Sequence, residues 1–336
     1  MNDDKLAQDM LSAVDMELRA CVKLFFQNKP EDFQGIIDYQ MGWEGERMSG
    51  KNAGKRLRPL FTLSACHALG GDWHKAVPAA AAIELVHNFS LVHDDIQDHS
   101  ETRRGRPTIW VKWSEAQAIN TGDALLATAF LEIQRLDIEE KLILLTLSKL
   151  NAATLNLTTG QYLDLAFEQA ENISLSAYWQ MVRGKTGALF EASFALAAII
   201  AGRNMTEIDK FEAYGSLLGA AFQVQDDYLG IFGENHQTGK SVASDLLERK
   251  KTYPIIYALE HLPEFRQYWV THKPFSAADV FLMKELLISN GIAEVTLLQA
   301  RSMYDELIRD YPQLFGRSEN SRLLGSMVND LFDRKA

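Results

Sequence analysis

From Thr108 to Tyr253 the chain contains no proline, although eight occur elsewhere, at positions 30, 59, 78, 107, 254, 263, 274 and 312. Average usage of about 5% would place roughly seven in that interval. Proline breaks a helix interior by removing a donor and clashing with the preceding turn, so a gap of this length favours one helix after another. Strand signals are weak. No alternating runs are separated by Asn-Gly or Asp-Gly, and no strand–helix–strand rhythm appears. The expected class is all-α. Ala124 to Leu131 and Leu189 to Ile200 are apolar nearly all round and are expected to be interior helices. Breaks are expected at Gly70-Gly71, at Gly202-Arg203-Asn204 and along the polar stretch Gly233 to Lys240. With 336 residues, 47% of them hydrophobic, the chain can bury a large core, and nothing marks a boundary, so it reads as one domain, 1–336.

Two aspartate clusters end long apolar stretches: Asp94-Asp95-Ile96-Gln97-Asp98 after the run from Ala79 to Val92, and Asp226-Asp227 after Leu217 to Gln225. On a helix Asp94 and Asp98 stand at i and i+4 and share a face, where like charges repel by a few tenths of a kcal/mol even in water. An unpaired buried ion costs several kcal/mol, so a divalent cation between the carboxylates is the economical explanation. Carboxylate oxygens select a hard ion, Mg²⁺ before Zn²⁺. One such cluster reads equally well as a solvated helix end, but a second in the same context argues for metal. Mg²⁺ keeps part of its shell for substrate phosphates, which makes a diphosphate the natural third party.

A net charge of −11 argues against nucleic acid or a strongly anionic membrane as partner. An anionic substrate therefore needs local basic residues, and these cluster at Lys51 to Arg58, at Arg103-Arg104-Gly105-Arg106, and at Lys240 with Lys250-Lys251. No apolar run reaches the length of a membrane span, and the polar start Met1 to Lys5 lacks a secretory core, so the cytoplasm is the expected compartment. Cys21 and Cys66 are too few for a disulfide framework and read as small core residues.

The order of these motifs resembles the trans-isoprenyl diphosphate synthases of the polyprenyl synthetase family, from about Gly54 to Pro254. Gly54-Lys55-Arg56-Leu57-Arg58-Pro59 opens it, although Ala53 stands where a second Gly is common. His87 precedes Asp94-Asp95-x-x-Asp98, followed by Arg103-Arg104-Gly105-Arg106-Pro107-Thr108. Gly160-Gln161-Tyr162-Leu163-Asp164, Lys185-Thr186-Gly187, Phe222-Gln223, Asp226-Asp227, Thr238-Gly239-Lys240, Asp245 and Lys250-Lys251-Thr252 complete it. Two positions depart from the pattern. Gly230 replaces a third aspartate, and Arg249 replaces the Gly usual before the late lysine.

The resemblance implies the isoprenoid synthase fold, a single large bundle of antiparallel helices around a central cavity, and a homodimer. It implies transfer of an allylic group to isopentenyl diphosphate with loss of diphosphate. Asp94, Asp98 and Asp226 would hold several Mg²⁺ ions, with Asp95 and Asp227 beside them. Arg103, Lys185, Lys240 and Lys250 would add positive charge around the leaving group. Lys55, Arg58, His87 and Arg104 would bind isopentenyl diphosphate, for which a bidentate Arg suits phosphate better than a single ammonium. His87 lies seven residues before Asp94, two helical turns away on one face. Thr186 and Gln223 would turn oxygen dipoles toward the carbocation. Phe89, about 7.5 Å along the helix from Asp94, is a candidate floor for the growing chain. Helix geometry alone prefers Ser90, at i−4, whereas the resemblance points to Phe89 and a C20 product, geranylgeranyl diphosphate, with C15 or C25 as the alternatives. A class I terpene cyclase shares the aspartates but does not need Lys55, Arg58 and Arg104. A regulatory subunit of a heteromeric synthase is expected to lose an aspartate cluster, and both clusters are present. A helical metal-binding protein without chemistry would release no diphosphate. The segment from Phe265 to Ala336 reads as helices broken at Pro274 and Pro312.

Overall fold

The computed structural model describes residues 3–43, 54, 56–233, 244–271 and 274–332. Lys55 and Lys240 lie outside these residues. The elements are α1 Asp3–Phe26, α2 Glu31–Met41, α3 Leu57–Ala68, α4 Val77–Gln97, a hairpin of β1 Thr102–Arg103 and β2 Arg106–Pro107, α5 Ile109–Lys112 and α6 Glu115–Ile133. Then follow α7 Glu140–Gln169, α8 Leu175–Val182, a π-helical turn Arg183–Gly187, α9 Ala188–Ile200 and α10 Met205–Phe232. The chain ends in α11 Ser244–Leu247, α12 Tyr253–His261, α13 Pro263–Thr271, α14 Ala277–Ser289, α15 Ile292–Phe315 and α16 Arg322–Phe332. The all-helical expectation holds, and the proline-free interval spans α5 to α11. Ser114, Ser174 and Ser276 start α6, α8 and α14 by accepting a backbone N–H three residues on.

The hairpin is absent from the sequence reading because its turn is Arg104-Gly105 rather than Asn-Gly. Both turn residues take positive φ, 53° and 74°, as a two-residue hairpin of primed type requires. Pro312 is a second correction. It lies inside α15 rather than at a break, and the helix ends three residues later at Phe315. The expectation for Ala124 to Leu131 fails in part, since Leu131 is 42% exposed; Leu189 to Ile200 is interior as expected.

The residues fall into two compact units, Met1–Thr154 with Ala192–Glu212 and Phe315–Leu324, and Leu155–Glu191 with Ala213–Leu314 and Gly325–Ala336. In the first, α4 is the spine, packed by α1, α3 and α6. Ala79 to Ala82 are fully buried, and their small side chains let neighbours approach closely. Glu84 is buried on the same helix, where its Oε1 accepts Arg56 Nη1 at 2.7 Å and Asn88 Nδ2 at 2.9 Å. Arg56 precedes α3 in the left-handed region, φ 48°, so this ion pair fixes where α3 begins. Removing one partner would strand a buried charge, which costs about 3–5 kcal/mol.

In the second unit one apolar cluster joins Phe167, Tyr178, Val182, Val224, Tyr253 and Ile256. Another joins Ile231, Leu246, Phe265, Trp269, Phe275 and Met283, so the residues after Phe265 complete a core. Among the described residues no helix is long and apolar enough to cross a membrane.

α1 is tied to α6 through a buried acid. Arg135 Nη1 donates to Glu17 Oε1 and to Glu132 Oε2, each at 2.7 Å, and Glu132 is fully buried. Burial first, then the Glu17 carboxyl, pushes Glu132 up to about 7 from its ordinary 4.5. A carboxyl raised on folding costs stability wherever it must ionise, so this contribution is intact below about pH 4.5 and is lost as pH rises through about 7. Glu132→Gln stays neutral and keeps an acceptor for Arg135. Urea denaturation from pH 5 to pH 8 should show wild type losing on the order of 1–3 kcal/mol more than the variant.

Candidate active site

In the first unit the candidate residues gather at the end of α4. Asp98 caps the helix, its N–H donating to the Asp94 carbonyl at 2.8 Å. Asp98 is exposed and Asp94 half-buried, whereas Asp95 is 3% exposed and accepts Arg103 Nε at 2.7 Å. The burial penalty invoked for the whole cluster therefore falls on Asp95, which a protein cation already answers. Burial raises its pKa, with Arg103 pulling the other way.

Two turns earlier on α4, His87 is held well below its ordinary pKa by burial and then by Arg58, Arg104, Arg103 and Arg56. These groups come from α3 and its start, α4 and the hairpin, and the arginines act electrostatically on the His87 imidazole. The hairpin turn carries Arg104, whose Nη2 would lie 2.6 Å from a Cβ at Gly54, itself at φ 77°. A side chain at residue 54 would displace the guanidinium. Phe89 is buried and meets His93 edge-on, centroids 4.8 Å apart, while Ser90 Oγ donates to the His87 carbonyl at 2.8 Å.

In the second unit the π-turn Arg183–Gly187 carries Lys185 and Thr186. A single π-turn within a helical run commonly marks a functional position. Glycines let neighbouring helices close on it: a Cβ at Gly160 on α7 would lie 2.0 Å from the Lys185 backbone N, and one at Gly219 on α10 would lie 2.7 Å from Gly187 Cα. Lys185 Nζ pairs with Asp164 at 2.5 Å, joining two motifs 21 residues apart. Thr186 Oγ1 donates to Gln223 Oε1 at 2.5 Å, and Gln223 Nε2 donates to Asp227 Oδ1 at 2.7 Å. Asp226 is exposed and Asp227 buried, repeating the division at Asp94-Asp95. Burial pushes Asp227 up to about 7, against its donors Tyr178, Tyr253 N–H and Gln223.

Both departures from the motif have a structural account. A Cβ at Gly230 would lie 2.0 Å from Asp245 Oδ2, so the buried Asp245 carboxylate fills the space a side chain there would need. Arg249 adopts φ 57° without being glycine. Its guanidinium lies 4.4 Å from the Trp269 ring and 4.2 Å from Phe275, and donates to the Trp269 carbonyl at 2.7 Å. Those contacts offset a left-handed cost of about 1–2 kcal/mol. Lys250 is exposed and pairs with Glu248 at 2.9 Å, while Lys251 Nζ caps the Phe167 carbonyl at 3.0 Å. Sequence reasoning missed Glu84, Tyr178 and Tyr253. A buried Glu in an apolar run was the visible sign of the first, while the tyrosines carry no local signal.

Among the described residues no three acidic, thiol or imidazole groups converge to hold a metal by themselves. The donors present suit an ion that keeps open positions. Asp94 and Asp98 offer carboxylate oxygens at i and i+4 on the accessible end of α4, leaving the remaining coordination to water and phosphate, as Mg²⁺ prefers.

The fold is that of the isoprenoid synthases: a crystal structure of geranylgeranyl pyrophosphate synthase superposes with a TM-score of 0.87 at 29% identity, covering 98% of this chain and 99% of the other. The profile of the polyprenyl synthetase family matches residues 47–279, and the chain belongs to that family. A (2E,6E)-farnesyl diphosphate synthase of Mycobacterium bovis is 42% identical over 228 residues, 67% of this chain and 63% of that relative's length. A geranylgeranyl pyrophosphate synthase of Geoglobus acetivorans is 42% identical over 286 residues, 84% of this chain and 88% of its own.

Gly160→Ala should test the close approach beneath Lys185. The obstructing atoms are backbone, so α7 and the π-turn must separate. A loss of roughly 2–4 kcal/mol in chemical denaturation is expected, as for overpacking at its severe end.

Proposed function

We propose that this chain condenses isopentenyl diphosphate with an allylic diphosphate, releasing diphosphate and giving a trans-polyprenyl diphosphate, with C20 geranylgeranyl diphosphate as main product. The observation that carries the reading is the set of arginines around His87. Arg58, Arg104, Arg103 and Arg56 all act electrostatically on the His87 imidazole, and guanidiniums are suited to a substrate diphosphate that must be held without ionising. A cyclase, which uses no isopentenyl diphosphate, would not need them.

Asp94, Asp98 and Asp226 are the proposed Mg²⁺ ligands, and the bound ions would act as Lewis acids on the departing diphosphate. Lys185, held by Asp164, and Arg103, held by Asp95, present fixed positive charge for the same leaving group. Lys240 and Lys250 are proposed to add to it. Arg58, Arg104 and His87, with Lys55, bind isopentenyl diphosphate, and Thr186 and Gln223 turn oxygen lone pairs toward the developing cation. The diphosphate that leaves is the base proposed to take the final proton. One catalytic domain over 1–336 is the proposed organisation. Ile119, Leu131 and Leu144 are 47%, 42% and 67% exposed, and such apolar side chains on α6 and α7 support a homodimer. The cytoplasm is the proposed compartment.

Phe89 is the proposed chain-length floor. Its buried position next to His93, on the helix that ends in Asp94, supports this. The purified protein should be incubated with Mg²⁺, isopentenyl diphosphate and C5, C10 or C15 allylic diphosphates, and the dephosphorylated products sized by mass spectrometry. A dominant C20 alcohol is expected, with EDTA abolishing turnover and Asp94→Asn lowering kcat by roughly 10²–10³-fold. Phe89→Ala should lengthen the product. A C15 product from wild type would keep the reaction and discard the floor, and cyclised hydrocarbon without consumption of isopentenyl diphosphate would refute the condensation.

A further inference from the structure

The second aspartate of the later pair has work that the metal reading does not use. Asp227 is 3% exposed and both its oxygens are engaged. Oδ2 accepts the Tyr178 hydroxyl at 2.6 Å and the Tyr253 backbone N–H at 2.8 Å, and Oδ1 accepts Gln223 Nε2 at 2.7 Å. The Gln223 amide oxygen accepts the Thr186 hydroxyl at 2.5 Å.

The direction of this chain of hydrogen bonds follows from its inner end. A backbone N–H can only donate, and a carboxylate met by three donors is held as the acceptor. Gln223 accordingly turns its NH₂ inward to Asp227 and its carbonyl to Thr186. Thr186 then spends its proton on that carbonyl, and what its oxygen has left is lone pairs. With the amide reversed, Gln223 would donate to Thr186 and drive the hydroxyl proton outward, which is the wrong polarity beside a carbocation. Tyr178 is fully buried, with ring centroids 5.0 Å from Trp179 and 5.8 Å from Tyr253, so its hydroxyl cannot reach substrate. A buried hydroxyl is costly without a partner, and Asp227 supplies one.

We propose that Asp227 and Tyr178 are positioning residues that set the polarity of Gln223 and Thr186, so that the oxygen lone pairs of both face the allylic cation. The proposal rests on the reading that Thr186 and Gln223 lie against that cation.

Asp227→Asn replaces an all-acceptor group with one that also donates. The introduced amide nitrogen then faces Gln223, the Gln amide reverses, and Thr186 turns its proton outward. The single-turnover rate of allylic ionisation is expected to fall roughly 10²-fold, a loss of the size seen when one preorganised electrostatic contact is removed. KM for both substrates and the Mg²⁺ concentration for half-maximal rate should stay within about twofold. Gln223→Glu added to Asp227→Asn restores an acceptor both to the amide introduced by the first substitution and to Thr186, and should recover about tenfold or more. Tyr178→Phe keeps the ring and removes one donor; a smaller loss in rate, again without change in KM, is expected, and Gln223→Glu should not rescue it. Thermal melts within a few degrees of wild type would show that each variant folds.

If Gln223→Glu lowers the rate of Asp227→Asn further, or KM rises with every variant, Asp227 does not act through Gln223 and the proposal is wrong. Thr186→Val separates the two layers. If it leaves the rate unchanged, the cation-facing reading fails and takes the proposal with it. If it lowers the rate while Asp227→Asn does not, the positioning proposal alone is lost.

Discussion

Neighbouring residues on an α-helix point about 100° apart, so where a helix turns one face to the protein an adjacent pair of aspartates can be divided between inside and outside. That division organises this chain. At Asp94-Asp95 and again at Asp226-Asp227, the second carboxylate turns into the protein and the first stays accessible. The inward carboxylate is tolerable because donors meet it: Arg103 for Asp95, and Tyr178, Tyr253 N–H and Gln223 for Asp227. Each doublet thereby combines an anchor with a metal-ligand candidate. The anchor also orients a neighbour, a guanidinium in one unit and an amide in the other.

Positive charge follows a similar logic. Arg56 is spent on Glu84 inside the first unit, and Lys251 on a backbone carbonyl in the second. Arg58 on α3 and Arg104 on a hairpin whose turn holds a left-handed arginine both act electrostatically on His87. Basic residues that look equivalent in the sequence thus divide into those that hold the fold and those that can hold an anion.

The helical class was legible because proline's effect on a helix is local and a gap of this length is hard to obtain otherwise. Some motif residues of the second unit do come together, Thr186 with Gln223 and Lys185 with Asp164. Burial within a motif was not legible. A buried aspartate does demand a partner, but the sequence does not show which of two neighbours turns inward, and the demand was assigned to the wrong members of the first cluster. Tyr178 and Tyr253 were invisible because their partner is 49 and 26 residues away along the chain. The hairpin was missed because arginine is a poor turn former by itself and is held here by glycine beside it, and Pro312 because the helix runs on three residues past the proline to Phe315 before it ends.

The contact between α7 and the π-turn bears on how the family can vary. Gly160 and Gly184 each stand where the other's side chain would be: a Cβ at Gly184 would lie 2.8 Å from Gly160 Cα and 2.7 Å from the Asn156 carbonyl oxygen. The obstruction on either side is main chain. No exchange of side chains nearby can make room for a larger residue at one by shrinking the other, so the two positions offer no stepwise compensatory route. A larger residue at either position has to move main chain, so the segment that carries Lys185 and Thr186 and the stretch of α7 against it can change only together.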